Sequence, residues 1–110
     1  MVKILFMGTP DYGATVLRAL IGQHDVVAVV TQPDCYVGRG RCRCVSPPVK
    51  LVAQEHGIPV LQPERLRRDE DILQAMEASG ADVFVLAAYG QILPERVLRM
   101  PPYGVVGVHA

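Results

Sequence analysis

The chain has 110 residues, half of them hydrophobic, with 11 basic residues against 11 acidic ones. That length accommodates one domain with a real core. A formal net charge of zero excludes a global pull toward nucleic acid or membrane, so any polyanion must be met by a local patch.

Val2–Met7 reads as a buried strand, too short and too soon followed by a turn to be a signal peptide. Gly8-Thr9-Pro10-Asp11 reads as a helix start, with Thr9 as N-cap, Pro10 at the first helical position and Asp11 at the positive end of the dipole. Val16, Leu17, Leu20 and Ile21 give that helix one apolar face, and Gly22 suits its end. Asp25–Thr31 is a second strand, and residues 32–45 form a long loop. Ser46-Pro47 opens a second helix that buries Val49, Val52 and Ala53 and ends at Gly57. Ile58–Leu61 is a short third strand. Residues 64–71 form a charged turn in which Arg65, Arg67 and Arg68 face four acids. Ile72, Leu73 and Met76 mark a third helix that stops at Gly80. Val83–Ala88 and Val105–Val108 are two more strands, with a short helical segment after Pro94 between them. Strands alternating with helices imply a parallel sheet with right-handed crossovers. The expected fold is α/β, a doubly wound, Rossmann-like sheet in the order 3-2-1-4-5, with its switch point between strands 1 and 4. Ligands of such sheets bind outside the carboxyl ends of the strands. Residues 88–93 and 107–110 are therefore the expected site.

Four stretches carry possible chemistry. Gly8–Gly13 (GTPDYG) is not a dinucleotide fingerprint, because Pro10 removes an N–H and Asp11 repels phosphate; a tight turn is expected, without NAD. The 32–45 loop holds Arg39, Arg41 and Arg43 among flexible glycines. It suits either phosphate contacts or a solvated charged surface. Cys35, Cys42 and Cys44 are too few for a four-ligand zinc site, so no metal is expected. Their odd number argues against a disulfide framework and for a reducing, cytoplasmic setting. No apolar run approaches the ~20 residues of a membrane span. His109 directly follows a buried strand and is either structural or catalytic; His24 and His56 read as surface residues.

FMGTPD (6–11), TQPD (31–34), GRG (38–40), SPPVK (46–50), GIPVLQP (57–63), AAYGQILP (87–94) and VHA (108–110) together resemble the N-terminal part of the methionyl-tRNA formyltransferase family, over the whole chain. The resemblance implies transfer of a formyl group from 10-formyltetrahydrofolate to the amine of initiator methionyl-tRNA, in a monomeric, cytoplasmic full-length form. Donors aimed at the developing oxyanion and a proton shuttle are then needed. His109 matches the family histidine. Tyr89, Gly90, Gln91, Ile92 and Leu93 match the folate-pocket loop, with Ile92 and Leu93 flanking the pterin. Arg39, Arg41 and Arg43 fall in the insert that meets tRNA. Residues 1–110 then correspond to the N-terminal portion of the catalytic domain. The rest of that domain, with the family Asp, and a C-terminal tRNA-binding domain would lie beyond it, so this polypeptide by itself is expected to be inactive. Gly107 stands where the family has the Asn of Asn-x-His. The cysteines and the extra proline of Pro47-Pro48 are further departures. The alternatives are a non-catalytic α/β module that binds folate or a nucleotide, and a sugar-nucleotide formyltransferase.

Overall fold

The computed structural model describes residues 2–37 and 43–108. Its main sheet has five parallel strands: β1 (Lys3–Gly8), β2 (Asp25–Val30), β5 (Val60–Leu61), β6 (Val83–Ala87) and β7 (Val105–Gly107). Their order is β5-β2-β1-β6-β7, which is the expected 3-2-1-4-5 arrangement with its reversal between β1 and β6. Helices α1 (Asp11–Ile21) and α2 (Pro48–Glu55) belong to one side, and α3 (Glu70–Glu77) and the short α4 (Glu95–Leu98) to the other.

The strands are apolar on both faces because both faces are covered. Ile4 and Phe6 pack with Leu17, Val49 and Val52 from α1 and α2. Leu5 and Met7, one residue out of phase, pack with Leu66, Leu73, Met76 and Val97. Each fully buried Leu or Phe contributes about 1.5–3 kcal/mol. The register slips between Ile4 and Leu5, which pair with Val26 and Ala28. One extra residue on β2 accounts for Val26 joining the first cluster while Ala28 and Val30 join the second.

Three local expectations need correction. Thr9 is not the cap of α1: Pro10 holds the N-cap position without a side-chain bond. The Thr9 hydroxyl instead donates to the carbonyl of Tyr89 at 2.7 Å. That carbonyl lies past the end of β6, where no ladder partner exists, and a buried carbonyl needs a donor. The 32–45 segment is not irregular throughout, because β3 (Cys35–Val37) and β4 (Arg43–Val45) pair antiparallel within it. Cys35 is registered with Val45 and Cys44 with Tyr36, so the two cysteines are not cross-strand partners. Helix α2 begins at Pro48, with Pro47 as its N-cap.

The charged turn becomes a single 3-10 turn, Leu66–Arg68, pinned by buried Leu66. Asp69 then caps α3 by accepting from the Ile72 N–H at 3.1 Å. Replacing Asp69 by Ala is expected to lower stability by about 1 kcal/mol. Denaturant melts of both proteins measure the difference, and an unchanged midpoint contradicts it.

Gly8 and Gly13 owe their presence to close approach. A Cβ at Gly8 would sit 2.6 Å from the Ala87 carbonyl oxygen, and one at Gly13 would sit 3.0 Å from the same atom. Their missing side chains let the first turn of α1 lie against the carboxyl end of β6, which brings Thr9 to Tyr89.

Candidate functional site

The carboxyl ends of β1, β2, β5 and β6 open onto one rim, and side chains from the four following loops are tied together there. Gln32 follows β2, Gln62 follows β5 and Gln91 follows β6. Gln91 Nε2 donates to Gln32 Oε1 at 2.7 Å and to the Pro63 carbonyl at 3.0 Å. Its Oε1 accepts from the Leu66 N–H at 2.8 Å. Gln32 in turn donates its backbone N–H to Thr9 Oγ1 at 3.3 Å and accepts at its carbonyl from Gln62 Nε2 at 3.1 Å. Gln62 Nε2 also reaches Asp34 Oδ1 at 2.8 Å. Asp34 closes the chain with an ion pair to Lys50 of α2 at 3.0 Å. The hydrogen bonds from Gln62 and Lys50 hold the Asp34 carboxyl below its usual range. The pair therefore persists at neutral pH and is lost only as pH falls through that lowered range.

Backbone conformation gives the loop after β6 its shape. Ala88 has a left-handed φ of 58° and Gly90 a φ of 102°. A left-handed alanine is uncommon and locally strained. The dihedral at position 90 requires glycine, and a Cβ there would also lie 2.7 Å from Gln32 Nε2, displacing the end of that side chain.

Two open clefts flank the network. One, of about 480 Å³, is lined by Glu64, Arg65, Arg67, Arg68, Gly90, Gln91 and Ile92. The other, also about 480 Å³, lies between Thr9, Gln32 and Asp34 and the segment Val45–Pro48 beside the stem of the β3–β4 hairpin. Both fall in the size range of small-molecule sites. Arg65, Arg67 and Arg68 are exposed and make no ion pair among the described residues, so the first cleft sets three guanidinium groups against the single carboxylate of Glu64.

The expected site residues divide into several groups. Gly90, Gln91 and Ile92 line the arginine cleft, and Ile92 is 86% exposed. Leu93 does not stand opposite Ile92 across that cleft; it packs on the core cluster of Leu73 and Val97. Tyr89 is 1% exposed and its hydroxyl has no hydrogen-bond partner among the described residues. Burial pushes its phenol up to about 12, so it stays neutral and contributes its ring to the core and its carbonyl to Thr9. Gly107 ends β7, registered with Leu86 and exposed. Arg39, Arg41, Cys42 and His109 lie outside the described residues, and of Arg43 only the backbone, in β4, is described. Among the described residues no group of three or more His, Cys, Asp or Glu side chains is arranged to hold a metal, and no helix is long and apolar enough to cross a membrane.

Thr9, expected only as a helix cap, and Gln32, Asp34, Lys50 and Gln62 were not expected at the site. A signal existed: Gln32-Pro33-Asp34 and Gln62-Pro63-Glu64 repeat the same pattern directly after two neighbouring strands. Proline restricts the residue before it to extended backbone, so each glutamine continues its strand onto the rim.

Comparison with known proteins gives this geometry a family. Two methionyl-tRNA formyltransferases from Staphylococcus aureus, of strains JH1 and Newman, are each 52% identical over 110 residues, covering 100% of this chain and 35% of their own length. The chain thus spans about a third of these curated relatives. The crystal structure of phosphoribosylglycinamide formyltransferase from Streptococcus pneumoniae TIGR4 superposes with a TM-score of 0.68 at 18% identity, over 99% of this chain and 57% of that one. That likeness shows a shared fold. A family model described as formyl transferase matches residues 2–110, and with a matching sheet beneath it the chain belongs to the formyl transferase family.

Proposed function

We propose that this chain is the N-terminal part of the catalytic domain of a methionyl-tRNA formyltransferase, with the rest of that domain and a tRNA-binding domain beyond residue 110. The full protein transfers the formyl group of 10-formyltetrahydrofolate to the amine of initiator methionyl-tRNA, as a cytoplasmic monomer that needs no metal. The observation that carries this reading is the 52% identity to methionyl-tRNA formyltransferases across all 110 residues. The rim supports it. A folate has a flat apolar ring system and an anionic carboxylate end. The exposed Ile92 and the guanidinium groups of Arg65, Arg67 and Arg68 line one cleft, so that cleft offers complementary chemistry at both ends.

The amine attacks the formyl carbon, and the carbonyl oxygen becomes an oxyanion as the new C–N bond forms. A proton must leave the attacking nitrogen, and the departing folate nitrogen must gain one. His109, two residues after β7 in the sequence, is assigned to this proton transfer, since an imidazole is suited to proton transfer near neutral pH. The backbone around 107 frames the oxyanion, but Gly107 supplies no side-chain donor. The β3–β4 hairpin is assigned to the tRNA acceptor end through Arg39, Arg41 and Arg43.

The test is a chimera in which these 110 residues replace the matching segment of the Staphylococcus aureus enzyme, assayed for formyl transfer to methionyl-tRNA. Transfer dependent on 10-formyltetrahydrofolate is expected, and a chimera that neither binds folate nor uses methionyl-tRNA refutes the reading. In the same protein Arg39→Ala is expected to weaken tRNA use, to lower the salt dependence of tRNA binding by roughly one unit of log–log slope, and to leave folate affinity intact. Equal loss of folate affinity sinks that assignment of the hairpin.

A further inference from the structure

We propose that the Gln32–Gln91 side-chain pair is the positioning element of the donor-facing loop 88–93, acting by holding that loop and not by touching folate. The inference rests on the folate-dependent reading above and adds to it the residues that make the cleft ready to bind.

The argument begins with hydrogen-bonding capacity. The amide group of Gln91 offers two N–H donors and one carbonyl oxygen. Both donors are used, on Gln32 Oε1 and the Pro63 carbonyl, and the oxygen accepts from the Leu66 N–H. An amide so occupied has no free N–H for a ligand, although Gln91 lines the arginine cleft. Its role is internal: it fastens the loop after β6 to the segment that carries Arg65, Arg67 and Arg68. Gln32 completes the fastening. It receives Gln91, is held by Thr9 and Gln62, and lies so close under Gly90 that a single added carbon there would come within 2.7 Å of its Nε2.

The loop needs such fastening. It contains a left-handed Ala88 and a glycine at φ 102°, and Ile92 at its tip is 86% exposed. Tyr89 and Leu93 anchor the loop's two ends in the core, but neither backbone preference nor burial fixes the segment Gly90–Ile92 between them. A loop competent for only a fraction of the time weakens its ligand by that fraction. Losing side-chain hydrogen bonds worth a factor of a few each leaves a competent fraction on the order of one tenth.

Gln91→Met and Gln32→Met keep the length of the side chain and remove its amide. In the chimera, Gln91→Met, which loses three bonds, is expected to raise KM for 10-formyltetrahydrofolate by roughly tenfold, and Gln32→Met, which loses one, by roughly threefold, with kcat at saturating donor within about threefold of the parent. The double variant is expected to resemble Gln91→Met alone, because that substitution already removes the Gln32–Gln91 bond together with those to Pro63 and Leu66. A purely structural pair would instead lower the active fraction, and so kcat, at unchanged KM; that result, or an unchanged KM in both single variants, overturns the proposal. Amide hydrogen exchange supplies a readout independent of activity. Residues 88–93 and 64–66 are expected to exchange faster in Gln91→Met while β1 and β6 stay protected, and unchanged protection of 88–93 overturns the proposal as well. A parent chimera without folate binding marks failure of the family activity itself, and is visible before any variant is made.

Discussion

Gly107→Asn, made in the chimera that completes the chain, is expected to raise kcat for formyl transfer by roughly one to three orders of magnitude, the range of a single oxyanion donor. The local geometry favours a clean result. Gly107 is registered with Leu86 across the β6–β7 ladder, and the Val108 N–H donates to the Leu86 carbonyl at 2.8 Å. The backbone is thus held on both sides of the substitution. Removing a glycine from a strand also recovers some backbone entropy. On the proposed reading, folate binding is drawn from the 88–93 loop and is present in the ground state, so KM for the donor should change little. His109→Ala in the same background is expected to abolish the gain, since an oxyanion donor without a proton shuttle has nothing to stabilise. Single-turnover assays with methionyl-tRNA separate the chemical step from product release. Equal rates for the parent and Gly107→Asn rule out residue 107 as the donor position.

Glycine at position 8 should respond in the opposite sense. Gly8→Ala is expected to destabilise the fold by about 3 kcal/mol, the upper end for overpacking. The added Cβ meets the Ala87 carbonyl oxygen at 2.6 Å and the Phe6 ring at 2.8 Å. Neither can withdraw: the carbonyl belongs to β6, and Phe6 is fully buried between sheet and helices. For a domain near 100 residues this corresponds to a fall in Tm of roughly 12–20 °C. Gly22→Ala is the control. Its nearest neighbour would be 3.8 Å away and its φ is −71°, so its Tm should match the parent within about 3 °C. A Gly8→Ala protein that melts with the control shows that the turn at Gly8 relaxes freely.

The unequal legibility of fold and site has a physical origin. Ile4 to Met7 and Val26 to Val30 could be assigned to a doubly covered sheet because continuous apolar runs between turn signals have few other uses. The strand order followed, since right-handed crossovers leave few ways to arrange five parallel strands. The loop after β6 was expected to face a ligand, but the burial of its members was not foreseen. Tyr89 enters the core and Ile92 leaves it along a loop that turns left-handed at Ala88, a choice that alanine does not advertise.

What the sequence by itself determined is the order of elements, the covered faces and the rim that carries the candidate site, because hydrophobic period, glycine and proline act within a few residues of where they stand. Membership of the formyl transferase family was legible for the same reason, in short motifs spread over the chain. Only the tertiary structure decided what the polar residues on that rim do. Thr9 meets Tyr89 across a sequence separation of 80, and Gln32 meets Gln91 across 59. A threonine before Pro-Asp caps a helix as readily as it reaches a distant carbonyl, and a glutamine after a strand is as often solvated as bonded. Residue type alone does not separate these outcomes, because the partner is chosen by the folding of the sheet that brings the loops together.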